Sequence, residues 1–211
     1  KKFVPDIPKK NYITEPIKRN TGPAIALVTA LIYQKDKDAI IVATHSDHLV
    51  VKKEEYQKGV LAGISTIKNH PNYILCVGIQ PTSPHTGYGY IEKREEFRVS
   101  QNYMVYNTAR FVEKPNLDKA KEYLASGNFF WNSGYFIWQA EHFLEELKKY
   151  SPDVYKGVMK IAKSSSEKDF KSILDREFIK FPDVAVDNMI MEKTENLLVL
   201  PLDIGWSDVG S

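Results

Sequence analysis

The sequence predicts an α/β fold: a mostly parallel, twisted sheet with helices on both faces and an antiparallel section around residues 85–140. Three observations carry this. Unbroken apolar runs at 39–43 and 73–79 read as strands buried on both faces. Stretches of helical period precede and separate them, so the first eighty residues run helix, strand, helix, strand, the rhythm of a parallel sheet. Beyond Thr82 the pattern changes to turn residues followed by alternation, which suits antiparallel strands.

In order along the chain, Asn20-Thr21-Gly22-Pro23 offers an N-cap and an early proline before AIALVTALIY, a helix apolar nearly all round and therefore buried. The strand at 39–43 follows. From Lys52 to Asn69 the apolar positions Tyr56, Val60, Ile64 and Ile67 recur at helical spacing between charges, the pattern of a surface helix. A second buried strand spans 73–79. TSPHTGYGYIEKREEF combines turn residues with alternation, YMVYNTARFVEKP reads as a long strand, and Leu117 to Ser126 is a short helix closed by Gly127. After WNSGYFIWQA come helical stretches at about 140–149, 153–163 and 167–178, a short one near 186–192, and a strand at 196–201. There is no internal repeat, and Ser164-Ser165-Ser166 is too short to be more than a loop.

Composition narrows the class. The 211 residues, 43% hydrophobic, suffice for one sizeable core, and a single domain over 1–211 is expected. The 29 Lys and Arg against 27 Asp and Glu contain no long basic block or basic-aromatic stripe, so a small anionic ligand fits better than nucleic acid. The one cysteine, Cys76, lies inside an apolar run and reads as a core residue of a cytoplasmic protein. The longest apolar stretch, Pro23 to Tyr33, falls short of the roughly 18 residues of a membrane span. No signal-peptide pattern is present. Because the chain opens on Lys1-Lys2-Phe3 and stops at Gly210-Ser211 without a closing element, it is expected to be a piece of a longer protein.

Several polar residues stand where chemistry is expected. Asp47, in ATHSDHLV, sits four residues past an apolar strand, and ligands of open parallel sheets bind beyond the carboxyl ends of strands. Asp208, in LDIGWSDVGS, again follows a strand. Two such carboxylates converging with phosphate oxygens and waters would make an octahedral magnesium site; taken singly, a loop Asp is more often an Asx-turn or a solvated residue. His45 and His48 have zinc-ligand chemistry, but no second cluster of His or Cys completes four-coordination, so a histidine hydrogen-bonded beside a phosphate or the strand end is the better reading. In EPIKRNTGPA, Glu15 could accept both the N1–H and the amino group of guanine, or belong to a surface turn. Arg19 and the N–H groups of Thr21 and Gly22 at a helix start could favour an anion. Glu113 and Lys114, stopped by Pro115, pair a carboxylate suited to sugar hydroxyls with an ammonium suited to a phosphate. Asn132, among Phe129, Phe130, Trp131 and Tyr135, either satisfies buried backbone or reads a ligand's hydroxyls.

Taken together, EPIKRNTGPAIA, SDHLV, GIQPTSPHTGYGYI, RFVEKPN, YLASGNFFWNSGYF, VDNMIMEKT and GWSDVGS resemble, in order and approximate spacing, the mannose-1-phosphate guanylyltransferases. The likeness is to the bacterial form, behind which a phosphomannose isomerase domain often follows. It implies a Rossmann-like nucleotidyltransferase fold whose antiparallel section forms the sugar side of the cleft. It implies transfer of GMP from GTP to mannose 1-phosphate, with Mg2+ held by Asp47 and Asp208 and the sugar phosphate bound by Lys114, these three being catalytic. Glu15, Asn20 and Thr21 would lie against the guanosine; Gly87, Tyr88, Glu113, Asn132 and Asp187 would contact the mannose. It further implies a homodimer and, for the full-length protein, mannose-6-phosphate isomerase activity. The family's glycine-rich loop with its Gly-Gly-x-Gly-Thr-Arg signature is absent from the 211 residues, so these alone are expected to have little transferase activity. Thr44-His45-Ser46 stands where relatives have a Leu-Pro-Ala or Leu-Pro-Ser type of sequence. Two alternatives stay open: a thymidylyl- or uridylyltransferase acting on another sugar 1-phosphate, and a non-catalytic nucleotide-sugar-binding regulatory domain.

Overall fold

Two hydrophobic clusters, one on each side of a six-stranded sheet, organise the chain. The computed structural model describes residues 7, 8, 11–166 and 168–209; the opening lysines and Gly210-Ser211 lie outside them. The main sheet contains β1 (Ile40–Ala43), β3 (Ile74–Ile79), β4 (Tyr90–Ser100), β5 (Tyr103–Val112), β6 (Phe129–Gln139) and β7 (Leu197–Pro201). The short strands β2 (His48–Val50) and β8 (Trp206–Asp208) pair separately.

The alternation that the apolar runs hide is explicit in the packing. In β3, Ile74 and Cys76 face one cluster while Leu75, Val77 and Ile79 face the other; in β7, Leu197 and Val199 oppose Leu198 and Leu200. Both faces of these strands are covered, so both residue parities must be apolar. The first face is covered by α1 (Thr21–Tyr33), α4 (Ala140–Tyr150), α5 (Pro152–Lys163) and α6 (Phe170–Phe178). The second is covered by α2 (Lys53–Asn69) and α3 (Leu117–Ser126). Cys76 is fully buried, as expected of a core residue.

Three helix ends follow their capping residues. Asn20 accepts the N–H of Thr21 at the head of α1, Asn116 accepts that of Lys119, and Gly127 closes α3 at a φ of 69°. The helix expected from 167 starts at Phe170, and the short one near 186–192 is a π-helical turn, Asp187–Met191. No helix among the described residues is long and apolar enough to cross a membrane.

One expectation is overturned: the sheet is not mostly parallel. In the order β1-β6-β3-β7-β5-β4 only β3 and β7 pair in parallel, and every other pairing among the described residues is antiparallel. The cause is β6. It inserts between β1 and β3, antiparallel to both, and also reaches β4, so the antiparallel section is woven into the main sheet. The sequence hides this strand because Asn132-Ser133-Gly134 interrupts it. Across that point Cys76 pairs with Phe136 but Gly78 with Asn132, so β6 carries a bulge of two extra residues. Ser133 Oγ donates to Val77 O at 2.7 Å and holds the bulge against β3.

Candidate active site

The bulge in β6, the end of β5, the π-helical turn and the β2–β8 ribbon converge on one cleft of about 220 Å³. At one end, β2 and β8 run antiparallel with His48 opposite Asp208 and Val50 opposite Trp206. Asp47 directly precedes His48, so ordinary strand spacing brings the backbones of Asp47 and Asp208 to roughly 6 Å from each other. Asp47 is exposed and Asp208 half-buried. Trp206 Nε1–H donates to His48 Nδ1 at 3.0 Å and packs edge-on against that ring. The imidazoles of His45 and His48 are 4.4 Å apart and both adjoin Tyr135. Burial, and then the neighbouring His45, lower the pKa of His48, against the opposing pull of Asp208 and Asp47. Tyr135, chiefly through burial, is pushed up to about 12. Gly134 is required here on two counts: its φ is 72°, and a Cβ would overlap the imidazole of His45.

The other end is built on β5 and β6. Immediately after β5, Glu113 and Lys114 form an ion pair at 2.6 Å, with Lys114 at a φ of 47°. Glu113 Oε1 takes the lysine, whereas Oε2 is buried and has no partner among the described residues. It lies over Gly89, where an added Cβ would come within 2.5 Å of it. Burial is the largest influence on Glu113 and raises its pKa, opposed by Lys114. Asn132 is engaged at both ends of its amide. Its Nδ2 donates to Asp187 Oδ1 at 2.8 Å, while Oδ1 accepts the N–H of Gly134 at 2.9 Å and the Sγ–H of Cys76 at 3.2 Å. Asp187 opens the π-helical turn, and burial raises its pKa more than its hydrogen bonds and Lys114 lower it. Tyr88 stacks on His85 at 4.0 Å and meets Trp131 and Trp206 edge-on, while Gly87 N–H donates to His85 Nδ1 at 3.1 Å.

Of the residues singled out in the sequence, Asn20, Thr21, Gly87, Tyr88, Glu113, Lys114, Asn132, Asp187 and Asp208 all line this cleft. Asp47 is not among the lining residues; it directly precedes His48, which lines the cleft and pairs with Asp208. Glu15 does not line it: it is half-buried in the irregular segment before α1, its Oε2 also has no partner among the described residues, and burial raises its pKa. The anion site expected at the head of α1 is not formed as predicted. Arg19 donates to Ile179 O at 2.8 Å, Thr21 N–H is taken by Asn20, and Gly22 N–H is taken by Val184 O at 3.0 Å. The Gly22 bond fastens α1 to the segment before the π-helical turn, reinforced by Thr21 Oγ1 accepting the N–H of Val186 at 3.0 Å. Sequence reasoning missed Gly89, Ser133, Gly134 and Trp206 as cleft residues. Their only signals were the glycines of GYGY and NSG and the tryptophan beside Asp208.

Asp47 and Asp208 offer carboxylate oxygens, the ligand type of a hard divalent cation, from neighbouring stretches of backbone. Two carboxylates on adjacent backbones suit magnesium, which takes one or two protein oxygens and keeps waters or phosphate oxygens for the rest. Ligand atoms of His45, Asp47 and His48 also lie within 4.8 Å of one another. His48 is nonetheless a poor metal ligand: with Nδ1 accepting from Trp206, the other nitrogen of the neutral ring carries the proton and is a donor.

The nucleotidyl transferase family model matches residues 4–211. The mannose-1-phosphate guanylyltransferase of Escherichia coli K12 is 39% identical over 206 residues, which covers 96% of this chain and 42% of that protein. The chain thus spans less than half the length of the curated relatives it matches. A crystal structure described as mannose-1-phosphate geranyltransferase from Thermus thermophilus superposes with a TM-score of 0.82 at 25% identity, covering 94% of this chain and 54% of that one. A second, described as mannose-6-phosphate isomerase from Helicobacter pylori, gives a TM-score of 0.75 at 30% identity, covering 92% and 72%.

Proposed function

Because the chain belongs to the nucleotidyl transferase family, we propose that it transfers GMP from GTP to mannose 1-phosphate, forming GDP-mannose and releasing pyrophosphate. The observation that carries this reading is the sugar end of the cleft. A buried carboxylate oxygen of Glu113 awaits a donor, and the Asn132–Asp187 pair and the Lys114 ammonium stand beside it. Hydroxyl acceptors next to a phosphate partner are what a sugar 1-phosphate needs. The similarity to curated guanylyltransferases supports the same choice of nucleotide and sugar.

In this reading an oxygen of the sugar phosphate attacks the α-phosphorus of GTP in line, and the bond to the bridging oxygen of pyrophosphate breaks. No protein nucleophile is consumed, so the residues act by positioning and charge. Glu113 Oε2 accepts a mannose hydroxyl, and Lys114 turns from Glu113 to the incoming phosphate. Asp187 accepts a second hydroxyl while holding Asn132. Asn20 and Thr21 border the guanosine, and Glu15, with its unpartnered oxygen, would accept from the guanine edge. Asp47 and Asp208 would hold Mg2+, which when bound spreads the negative charge of the phosphate oxygens. His48 adds a fixed N–H donor to the same rim.

The test is pyrophosphate release by the full-length protein with each nucleoside triphosphate and each sugar 1-phosphate in turn, in magnesium. GTP with mannose 1-phosphate should be preferred. A higher kcat/KM with UTP or dTTP, or with glucose 1-phosphate, would move the assignment to a sister activity; tight binding with no release would make the protein a nucleotide-sugar-binding module. The likeness to the Helicobacter structure supports a further mannose-6-phosphate isomerase activity in the full-length protein, checked by conversion of mannose 6-phosphate to fructose 6-phosphate.

A further inference from the structure

Outside the cleft, the exposed Glu192 joins the two segments that supply Glu113 and Asp187. It follows the π-helical turn, in which Glu192 N–H donates to Asp187 O at 2.9 Å. One carboxylate oxygen, Oε1, accepts the backbone N–H of Glu113 at 3.1 Å, across 79 positions of sequence. The other, Oε2, accepts from Asn188 Nδ2 at 3.0 Å. Glu192 itself does not line the cleft.

That N–H sits at a vulnerable place. The β4–β5 ladder stops at Val112 opposite Tyr90, and the next residue but one, Lys114, is at a φ of 47°, an uncommon conformation for a residue with a side chain. Beyond the ladder, Glu113 N–H donates instead to the Glu192 side chain, which ties this turn to the π-helical turn. The turn decides where the Glu113 carboxylate and the Lys114 ammonium point.

We propose that Glu192 is a positioning residue for sugar-phosphate recognition: it clamps the Glu113–Lys114 turn to the π-helical turn, so that Glu113, Lys114 and Asp187 address one ligand together. The proposal rests on the functional reading above. Nothing in it requires Glu192 to touch a substrate or to carry charge. An acceptor of the same length should therefore serve, since the Asn188 amide can turn over to offer its oxygen to a glutamine.

The experiment measures kcat and KM for mannose 1-phosphate and for GTP in the full-length wild type, Glu192→Ala and Glu192→Gln, with Tm for each. Losing one hydrogen bond of ordinary net strength should raise the KM for mannose 1-phosphate about fivefold in Glu192→Ala and leave the KM for GTP unchanged. Glu192→Gln should restore it to within about twofold, by the same hydrogen-bond reasoning. Amide hydrogen exchange should be faster at Glu113 in the alanine variant alone. An unchanged KM for mannose 1-phosphate, equal rises for both substrates, a lowered Tm with wild-type kinetics, or a glutamine variant as impaired as the alanine would each overturn the assignment. A wild type that does not use mannose 1-phosphate would overturn the functional reading instead, and this assignment with it.

Discussion

Glu113→Gln is expected to stabilise the protein near neutral pH while weakening its grip on the sugar. The Glu113 side chain is 17% exposed, and one of its oxygens has no partner among the described residues. Burial outweighs the hydrogen bond from Lys114, and the net effect raises its pKa above 4.5. A group whose pKa is higher in the folded than in the unfolded chain contributes stability below the unfolded value and loses it as pH rises through the folded one. At pH 7 the wild type thus keeps ionised a carboxylate that folding disfavours, a cost the amide does not incur. The variant's Tm should exceed that of the wild type at pH 7, and the difference should disappear as pH falls below 4.5. Activity should move the other way. A hydrogen bond to a charged acceptor is worth about 1.5–3 kcal/mol, of which a neutral amide oxygen retains part. The expected loss in kcat/KM for mannose 1-phosphate is then about tenfold, since 1.4 kcal/mol corresponds to a factor of ten. Calorimetric Tm at pH 7 and pH 4, with pyrophosphate-release kinetics, measures both. A variant less stable at pH 7 would refute the argument from burial, and wild-type kinetics would show that Oε2 meets no part of the substrate.

Two further predictions test other parts of the molecule. Asp47→Asn and Asp208→Asn should each lower kcat by orders of magnitude and raise the magnesium concentration needed for half-maximal rate, with little change in Tm, because one residue is exposed and the other half-buried. Loss of affinity without loss of turnover in either variant would count against a shared cation. Glu177 is buried on α6, where Lys160 and Lys180 each reach it at 2.7 Å and Arg176 at 3.4 Å, and these hydrogen bonds hold its carboxyl down at about 2. A depressed pKa adds stability above the unfolded value and loses it as pH falls through the folded one. Glu177→Gln should therefore lower Tm at pH 7, and the gap should narrow as pH falls from 4.5 toward 2, followed by circular dichroism. A gap constant with pH would mean that the cations contribute nothing through charge.

Where the cause is local, helices and strands can be read directly from adjacent residues. Asn20 and Asn116 cap helices because a short polar side chain reaches a nearby N–H, and Gly127 ends α3 because that position needs a left-handed backbone. The buried strands at 74–79 and 197–201 were legible for the same reason, since burial on both faces demands apolar residues at every position. Asp208, Glu113, Lys114 and Asn132 were also legible, as polar groups set at strand ends or among aromatics, whereas Gly87, Tyr88 and Asp187 followed only from the family resemblance. Strand direction was decided only by the tertiary structure. β6 is apolar on both faces and broken by Asn-Ser-Gly, so no period in its residues says that it enters between β1 and β3 running against them. The free N–H groups expected at the head of α1 were claimed by Asn20 and Val184, the latter a partner some 160 positions away. His48, next to Asp47, is brought opposite Asp208 the same way, through a three-residue ribbon between distant parts of the chain. Caps and periods are interactions between near neighbours and are therefore written in adjacent residues, whereas a cleft is made of contacts whose partners only the packed sheet selects.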